Sequence, residues 1–482
     1  MKKIYQSLVV LMLSMGGATL TSCNDFLDVQ PLGHLDEDKQ FSNVQGFRDA
    51  MYGIYGQMAS TDLYGREMSY GTVDILGQLF GYNDTNQDYN KISNYDYKDA
   101  TVQQAIDKLW TSQYKVISDL NNVLKHLNST NLQSSEFALM KGECLGLRAF
   151  LHFDMARLYA EDYLRSTSET RGIPYSTTFD LENKPVYTLH KVFELMLNDL
   201  NEAEKLLAND DEVNVESQLS TDYTKGRAIF FNKYAVAATK ARIYYAMGDN
   251  VNAAKYAEQV IKATHNFELK KLTSMTDVKR YPANSELIFG HYNEKLGEDI
   301  VNRFLANNET GHYMEARRDL ANLYEASSFT ASNADIRYSA YYRQYTTTNR
   351  PFAFTRLVEN EEEQFTKPLK GVTLIRLPEM YYILSESLYE SDKPRAISLL
   401  NDVRRSRGLE SVADTKVNTL ANFKQEMLRE RMREMPGEGQ VFYALKHYNV
   451  SFKNYLGITT FQPSSTIFVL PWPEKELEFG NK

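Results

Sequence analysis

The fold is decided by the stretch from Asn232 to Thr264, NKYAVAATKARIYYAMGDNVNAAKYAEQVIKAT. Its first part, up to Met247, places alanines at positions where a partner helix must approach closely. Gly248 follows, and glycine is the residue type that most readily ends a helix. Small residues also line one face of the second part, from Val251 onward. The pattern therefore predicts two packed helices joined by a short turn.

A second pair of this kind lies near the C-terminus, at Leu377–Tyr389 and Lys393–Arg404. Both pairs resemble tetratricopeptide units, in which small residues flank a tight turn between two helices. Such units bury their apolar faces by stacking into a superhelical scaffold. We therefore predict a mainly α fold, built as a tetratricopeptide-like helical-repeat scaffold with long irregular loops and small β-hairpins.

Other segments show the apolar spacing of helices or of short strands. Helical spacing occurs at Val44–Met58, Val102–Leu127, Ser135–Leu164 and Thr188–Leu207. Short strand-like pieces occur at 287–289 and 372–375. The helices outnumber the strand-like pieces, which agrees with the mainly α prediction.

Two long regions between the helices lack regular periodicity. Residues 64–99 are rich in glycine, asparagine, aspartate and tyrosine, which is typical of loops. Residues 266–375 carry eight tyrosines between Tyr281 and Tyr345. Long loops within a compact domain are often functional, so we expect the ligand-binding residues in these two regions.

The N-terminus has the pattern of a secretory signal. Two lysines precede a short apolar run, Leu8–Leu13, and small residues follow up to Leu20-Thr21-Ser22-Cys23. The apolar run is too short to span a bilayer. The last four residues resemble the lipobox of bacterial lipoproteins, which predicts a signal peptide at 1–22, lipidation of Cys23 and a tether at 23–43. An ordinary signal with a chance cysteine is the alternative interpretation.

The formal charge of the chain is −9, and its basic residues form no long block. An acidic chain of this kind is a poor binder of nucleic acid and offers no polybasic patch to anionic lipid. The rest of the sequence contains no apolar run long enough to span a membrane. Apart from Cys23 the sequence has one cysteine, Cys144, which lies on an apolar helix face and is expected to be buried and inert.

Motifs spread over the chain resemble those of the SusD/RagB family of outer-membrane nutrient-binding lipoproteins. They are Cys23-Asn24-Asp25-Phe26-Leu27-Asp28, Gly172-Ile173-Pro174-Tyr175, Arg376-Leu377-Pro378-Glu379-Met380-Tyr381 and Leu470-Pro471-Trp472-Pro473. The resemblance implies an N-terminal SusD-like helical region at 44–265, with a ligand loop at 64–99. It implies a RagB/SusD C-terminal region at 266–482, with loop insertions and the second helical-repeat pair. Motif residues such as Glu379 and Arg404 are expected to pack the scaffold.

The same resemblance implies a function. The protein is expected at the cell surface, held in the outer membrane by the lipid on Cys23, where it binds an oligosaccharide or polysaccharide without catalysis. Its partner would be a TonB-dependent, SusC-like porin, and the energy for uptake would come from that partner. Two alternatives stay open: the peptide-binding, RagB-type branch of the family, and a lipid-anchored glycoside hydrolase.

Recognisable catalytic motifs are absent from the sequence. It has no Walker-type loop, no Gly-x-Ser-x-Gly elbow, no His-Glu-x-x-His and no paired-cysteine metal spacing. A glycosidase needs two carboxyl groups about 5–10 Å apart across the bound sugar. Acidic runs at 210–212 and 361–363 could offer such pairs but are more typical of solvated loops. We therefore predict that the protein is not an enzyme.

One segment carries a partial metal-binding pattern. Asp84-x-Asn86-x-Asp88 opens like an EF-hand calcium loop, but tyrosines stand where that loop requires glycine and glutamate. A looser structural calcium site formed by Asp84, Asn86 and Asp88 is one interpretation, and an Asx-turn is the other. We expect no other cofactor.

A sugar ring binds where an aromatic side chain covers its apolar C–H face and polar groups contact its hydroxyls. Both long regions supply such groups. The candidate ligand-binding residues are Asp74, Tyr82, Asn83, Asp88, Tyr89 and Tyr95 in the first region and Tyr281, Tyr292, Tyr313 and Arg317 in the second. For each single tyrosine a half-buried packing role is the alternative. Trp110 and Trp472 are expected to be structural.

Overall fold

Helices dominate the structure, a computed structural model, and the predicted mainly α class is confirmed. The structure describes residues 37–82, 88–210, 213, 222–272, 284–293, 295–305, 314–327, 335–345, 352–357 and 371–480. In chain order, its α-helices are α1 (Glu37–Gln40), α2 (Val44–Met58), α3 (Thr72–Leu76), α4 (Asp88–Ser93), α5 (Ala100–Ser129), α6 (Glu136–Tyr159), α7 (Leu189–Leu206), α8 (Lys233–Met247), α9 (Asn250–Ile261), α10 (Leu296–Ile300), α11 (Leu320–Leu323), α12 (Ile336–Tyr341), α13 (Leu377–Leu388), α14 (Lys393–Ser406), α15 (Leu420–Glu434), α16 (Val441–Tyr448), α17 (Ser465–Phe468) and α18 (Glu474–Phe479).

Short strands in the connecting segments pair with one another. They are β1 (Phe80–Tyr82), β2 (Arg171–Pro174), β3 (Val186–Thr188), β4 (Leu287–Tyr292), β5 (Met314–Ala316), β6 (Tyr342–Gln344), β7 (Phe352–Phe354), β8 (Gly371–Arg376), β9 (Phe452–Lys453) and β10 (Thr460–Phe461). Within the described ranges they form antiparallel two-stranded ribbons, β1–β5, β2–β3, β4–β8, β6–β7 and β9–β10. The strand-like pieces predicted from the sequence lie in β4 and β8, which pair with each other.

The chain divides after Phe47 into two compact units, Met1–Phe47 and Arg48–Lys482. In the first unit the rings of Phe41 and Phe47 pack with their centroids 4.9 Å apart. Both helix pairs and both long loop regions lie in the second unit. Among the described residues, no helix combines the length and the apolar character needed to cross a membrane. The division of the body at residue 265 stays a prediction.

The helix pair α8–α9 forms as predicted, because capping residues stand at both ends of α8 and at the start of α9. The Asn232 side chain accepts hydrogen bonds from two backbone N–H groups at the start of α8. Gly248 ends α8 in the left-handed conformation, with φ at +74°, which costs glycine little. Asp249 then caps α9 by accepting from the backbone N–H of Asn252 at 3.1 Å.

The two predicted helix pairs stack on each other, because α9 packs against both α8 and α13. A buried ion pair joins them: Arg242 of α8 donates to both carboxylate oxygens of Glu379 in α13, at 2.7 and 2.5 Å. Arg242 also donates to the backbone oxygen of Leu374 in β8. The Ser385 hydroxyl donates to the Ala396 oxygen and so ties α13 to α14. Glu379 is thus a packing residue, and the tetratricopeptide-like scaffold is confirmed.

One long helix is shorter than its sequence pattern predicts. The apolar spacing predicts a helix over 135–164, whereas α6 ends at Tyr159. Ala160 has an extended backbone, and the Asp162 side chain caps a separate 3₁₀ turn at Tyr163–Arg165. A local capping interaction here outweighs the apolar periodicity of the segment.

Glu143, in the middle of α6, is fully buried and anchors neighbouring segments to that helix. Its carboxylate accepts from the hydroxyls of Tyr55 at 2.6 Å and Tyr223 at 2.9 Å, and it pairs with Arg227 at 2.7 Å. The next residue, Cys144, is fully buried as predicted. Burial raises the pKa of its thiol well above the ordinary value, which keeps it in the unreactive protonated form.

A buried network of charged side chains occupies the C-terminal half. At its centre the Glu434 carboxylate, at the end of α15, accepts from Arg337 at 2.6 Å, Arg376 at 2.7 Å and Arg407 at 2.9 Å. These arginines come from α12, from the end of β8 and from the residue after α14, so one carboxylate joins four segments. Burial opposes ionisation, but the guanidinium groups hold the pKa of Glu434 well below its ordinary value.

We expect Glu434→Gln to lower the free energy of unfolding by about 3–5 kcal/mol, because removing one partner leaves buried charges uncompensated. Urea titrations of the wild-type and variant proteins would measure the change. Glu202→Gln is the matched control, since Glu202 of α7 is half exposed (49%) and pairs with Lys205 on the helix surface. The control should change by less than about 1 kcal/mol. A loss for Glu434→Gln as small as that of the control would contradict the central role of Glu434.

The stability of the folded protein should also depend on pH, because Glu430 lies among the same buried arginines. Burial opposes its ionisation, but Arg337, Arg433 and Arg404 lower the pKa of Glu430 to about 2, from the ordinary glutamate value of 4.5. Because the folded-state pKa is the lower one, this stabilisation is complete above about pH 4.5 and is lost as the pH falls toward 2. The urea midpoint should therefore fall over this range, and Glu430→Gln should flatten the fall. An equally steep fall in the variant would assign the effect to other groups.

Candidate ligand-binding surface

The two tyrosine-rich regions meet in one ribbon of the structure. Within residues 64–99, predicted as a long loop, the described residues include the short elements α3, β1 and α4. β1 pairs with β5 of the second region, which places Tyr82 opposite Met314. The backbone N–H of Arg317 extends this contact by donating to the Leu79 oxygen at 2.9 Å. The ribbon therefore brings together residues that are more than 200 positions apart in the sequence.

Tyr82 and Tyr89 form a partly exposed aromatic pair beside this ribbon. Their ring centroids lie 6.2 Å apart, with 54° between the ring planes. The Asn90 side chain donates to the backbone oxygen of Tyr82 at 2.7 Å and so ties α4 to β1. Asp88, exposed at the start of α4, adds a carboxylate beside Tyr89 in the sequence. Aromatic and polar side chains are thus grouped at this place, as a sugar-binding surface requires.

Glu67 fixes the orientation of Tyr89. The Tyr89 hydroxyl donates to Glu67 Oε1 at 2.7 Å, and Arg66 Nε donates to the same oxygen at 2.6 Å. The second carboxylate oxygen accepts from the backbone N–H and the hydroxyl of Thr72. Burial, and after it the Glu67 carboxylate, raise the pKa of Tyr89 above its ordinary value. The hydroxyl therefore stays protonated at neutral pH and keeps its hydrogen bond to Glu67.

Arg303 approaches Tyr89 from the second region. Its guanidinium lies 5.4 Å from the centroid of the Tyr89 ring, within the range of a cation–π contact. Arg303 Nε donates to Asp299 at 3.0 Å. The same carboxylate accepts from the Tyr70 hydroxyl at 2.6 Å and from Arg66 at 3.1 Å. Asp299 thus connects Arg303 to the arginine that also contacts Glu67.

Five side chains of this cluster are partly or fully exposed. We call them the tyrosine surface: Tyr82, Asp88, Tyr89, Asn90 and Arg303. Arg303 stands in a π-helical turn, Val301–Leu305, a rare conformation that is frequent at functional sites. Because Glu67 and Asp299 fix Tyr89 and Arg303 by hydrogen bonds, the ring and the guanidinium are oriented without a ligand. Such preorganisation reduces the entropy lost on binding.

Asp74, predicted as a ligand-binding residue, lies in the interior instead. Its side chain has no exposed surface. One carboxylate oxygen accepts from the backbone N–H of Gly437 at 2.6 Å and the other from that of Gly439 at 3.1 Å. Burial raises the pKa of Asp74 well above its ordinary value, although these two hydrogen bonds oppose the rise. The assignment of Asp74 to the surface is therefore corrected: it holds the turn around residue 438 against α3.

Tyr95 also serves the packing of the loop, which is the alternative that the sequence left open. Its hydroxyl donates to the Leu76 oxygen at 2.7 Å and accepts from the Gln78 side chain at 3.0 Å. Its ring meets the ring of Phe461 edge-on, with centroids 4.9 Å apart. Tyr95 itself adopts a positive φ of +58°, which a non-glycine residue rarely does. Its ring and hydroxyl are both engaged within the protein.

Tyr292 and Arg317 differ in their exposure. Tyr292 ends β4 and exposes 44% of its surface. Arg317 directly follows β5 and exposes only 4%, because it donates from Nε and Nη2 to the two carboxylate oxygens of Asp319 at 2.5 and 2.8 Å. Arg317 lines a separate groove together with Gly77 and Gln78, which precede β1.

Several predicted residues lie outside the described ranges. They are Cys23, Asn83, Asp84, Asn86, Tyr281 and Tyr313. Asp88 is therefore the one residue of the calcium pattern with a described side chain. Within the described ranges, no group of three or more His, Cys, Asp or Glu side chains is arranged to hold a metal ion. The lipidation site and the calcium site stay predictions.

Arg303, Asp299, Arg66 and Glu67 were not among the residues predicted from the sequence. Arg66 and Asp299 are 233 positions apart, and nothing in the local pattern around 296–305 links them. The sequence signal that was available is weak: Arg66 and Glu67 are adjacent charges inside a region otherwise rich in glycine, asparagine and tyrosine. The β1–β5 pairing joins the two regions, and only the structure shows that Arg66 and Arg303 share the Asp299 carboxylate.

Two family models match successive parts of the chain. Residues 25–245 match a SusD-like model described as starch-binding and associating with the outer membrane. Residues 245–466 match the model of the SusD family. Together the two matches extend over nearly all of the chain, and they meet within α8.

Individual proteins resemble the chain at low identity. SusD-like protein P2 of Formosa agariphila is 23% identical over 277 residues, which is 56% of this chain and 48% of that relative, so the match spans about half of the curated relative's length. A SusD superfamily protein from Bacteroides vulgatus superposes with a TM-score of 0.72 at 20% identity, covering 91% of this chain and 97% of that one. A laminarin-binding SusD-like protein superposes with a TM-score of 0.63 at 19% identity, covering 91% and 98%. At these identities the structural matches show a shared fold.

Proposed function

The chain belongs to the SusD family of carbohydrate-binding, outer-membrane-associated proteins, and from this premise we propose that it binds a glycan at the cell surface and delivers it to a TonB-dependent, SusC-like transporter without catalysis. The observation that supports the proposal most directly is the tyrosine surface. It combines two aromatic rings, Tyr82 and Tyr89, with the charged and amide groups of Arg303, Asp88 and Asn90.

The chemistry of this surface suits a sugar. The C–H face of a pyranose ring packs on a tyrosine ring, while its hydroxyls exchange hydrogen bonds with carboxylate, amide and guanidinium groups. Arg303 supplies donors, Asp88 supplies acceptors, and Asn90 supplies both. Because the Tyr89 hydroxyl is held by Glu67, the ring is presented in one orientation. A laminarin-binding protein with the same fold is consistent with a glycan ligand.

The state of the nearby carboxylates supports a non-catalytic role. A glycosidase needs a protonated acid and a second carboxylate on opposite sides of the sugar. Glu67 accepts four hydrogen bonds, from Arg66, Tyr89 and Thr72. Asp299 is bound by two arginines and by Tyr70. Both carboxylates are thus occupied by hydrogen bonds from the protein's own side chains and backbone.

The lipid anchor completes the proposal. Cys23 would carry the lipid, and the residues of the 23–43 tether would connect it to the body while the body contacts the transporter. A lipid anchor of this kind fixes a protein to the membrane through its buried acyl chains. The transporter would supply the energy for uptake, so the protein itself needs to bind and release its ligand.

We expect Tyr82→Ala and Tyr89→Ala each to weaken glycan binding by about 1–3 kcal/mol, by analogy with the loss of an aromatic stacking partner for a base. Calorimetry with a panel of soluble polysaccharides, including laminarin and starch, would measure the affinities. Tyr89→Phe keeps the ring and removes the hydrogen bond to Glu67, so it should retain most of the affinity. Tyr187→Ala, in the β2–β3 ribbon, is the matched control and should bind as the wild type does.

The same panel decides between the alternatives. Binding of oligopeptides and of none of the glycans would favour a peptide-uptake role and refute the glycan proposal. Shortened products after incubation with a bound glycan would identify a hydrolase. If glycan binds and neither tyrosine variant weakens it, the ligand site lies elsewhere on the protein.

We expect Cys23→Ala to abolish growth on the bound glycan as sole carbon source, because the protein would no longer be held beside its transporter. The purified Cys23→Ala protein should keep the wild-type affinity for that glycan in solution. Growth assays of the variant strain, combined with calorimetry, separate anchoring from binding. Wild-type growth of the variant strain would show that lipidation is unnecessary for uptake.

A further inference from the structure

A large groove lies next to the tyrosine surface and is separate from it. Its volume is about 590 Å³, and its walls are α15, the end of α16, the residues up to β9 and the segment that follows β5. We call it the α15 groove. Gly77 and Gln78, just before β1, form its edge. The edge is therefore four residues from Tyr82, a span of at most about 14 Å along the chain.

The α15 groove is cationic, although the protein as a whole carries a charge of −9. Its lining includes four basic side chains, Arg317, Lys424, Arg429 and Lys453, and one carboxylate, that of Asp319. Lys424 and Lys453 are exposed. Within the described ranges, neither lysine lies within ion-pair distance of a carboxylate. The four basic side chains thus outnumber the single carboxylate, and the groove carries a net positive charge.

Two of the basic side chains have N–H groups without an acceptor. Arg317 donates hydrogen bonds from Nε and Nη2 to Asp319, and its remaining nitrogen, Nη1, is buried without a partner. Arg429 donates from Nη2 to the Asn322 oxygen at 3.1 Å, but its Nε makes no hydrogen bond and lies 3.9 Å from Glu426. Buried donors in native structures nearly always have partners, so each exception calls for an explanation.

The carboxylate in the groove does not cancel this charge. Burial alone would raise the pKa of Asp319, but its hydrogen bonds and charge contact with Arg317, and after them the charge of Lys453, lower it. Asp319 is therefore ionised, and both of its carboxylate oxygens accept hydrogen bonds from Arg317. The floor of the groove is apolar and includes Leu428, Met432 and Leu445. A fitting ligand therefore has an apolar face and carries negative charge.

We propose that the α15 groove binds the acidic residues of an anionic polysaccharide, through either uronate carboxylates or sulfate esters. The proposal rests on the glycan-binding function and specifies the class of glycan. A uronic acid or a sulfated sugar combines a C–H face for the apolar floor with an anion for the exposed Lys424 and Lys453. Oxygen anions and basic side chains form charge-assisted hydrogen bonds, which are stronger than neutral ones. The short distance to Tyr82 lets one polysaccharide chain contact both places.

The test uses pairs of ligands that differ only in charge. Polygalacturonate is compared with its fully methyl-esterified form, and dextran sulfate with dextran, by calorimetry on the full-length protein in detergent at low salt. We expect the charged member of at least one pair to bind about tenfold more tightly or better, and added salt to reduce the difference. The first pair reports on carboxylates and the second on sulfate esters.

Two double variants locate the effect. Lys424→Gln with Lys453→Gln removes two exposed charges from the groove, and the preference for the charged ligand should fall by about tenfold. Lys205→Gln with Lys262→Gln makes the same change of net charge on α7 and just after α9, at side chains that are 74% and 72% exposed. This control should keep the full preference, and both variants should keep the wild-type unfolding midpoint.

The outcomes separate this inference from the proposed function. Equal binding of charged and neutral ligands, with a loss in Tyr89→Ala, would overturn the groove proposal and leave glycan binding intact. A charge preference that survives in the groove variant would also overturn it. Poly-glutamate binding that depends on Lys424 and Lys453, without binding of charged glycans, would assign the groove to acidic peptides and overturn the proposal. Failure of every glycan to bind would instead refute the proposed function itself.

Discussion

The Glu434 carboxylate constrains the whole C-terminal half, because it is buried and contacts three arginines that are themselves buried. Placing so many charges in the interior is costly unless every charge has its partners. Arg376 ends β8 and leads directly into α13, while Arg407 follows α14. The second helix pair is therefore positioned by this network as well as by its apolar faces. A partly assembled C-terminal half would leave arginines buried without acceptors, and this favours folding of the four segments together.

The turn that follows α15 connects the buried charged network to the ligand-binding region. Glu438 accepts from Arg376 at 2.9 Å, and the glycines on either side of it donate to Asp74. Gly439 has a φ of +66°, and a Cβ there would lie 2.0 Å from the Met68 oxygen. Only glycine lets the turn approach the 64–99 region so closely. Asp74 thus connects the charged network to α3, which precedes β1 and the tyrosine surface.

Local patterns predicted the helices well, because capping residues and apolar spacing act within a few positions of the chain. Asn232, Gly248 and Asp249 occupy the ends of α8 and α9 as their residue types predict. The role of a loop residue depends on distant partners instead. Asp74 is one acidic residue in a polar, tyrosine-rich loop, and the sequence does not show that two backbone N–H groups from residues 437 and 439 bury it. Arg303 was missed for the same reason, since its contact with Tyr89 exists only once β1 pairs with β5.

This difference explains how the scaffold and the ligand surface can change independently. The helix pairs are held by caps, small residues and the Arg242–Glu379 pair, none of which contacts the tyrosine surface. Tyr89 and Arg303 are oriented by Glu67 and Asp299, which belong to the same two regions, 64–99 and 266–375. Substitutions within the loops can therefore alter which groups face a ligand without removing a contact between the helix pairs. Asp74 is the exception to this independence. A substitution there would disturb the turn at 437–439 and, through Glu438, the buried arginines.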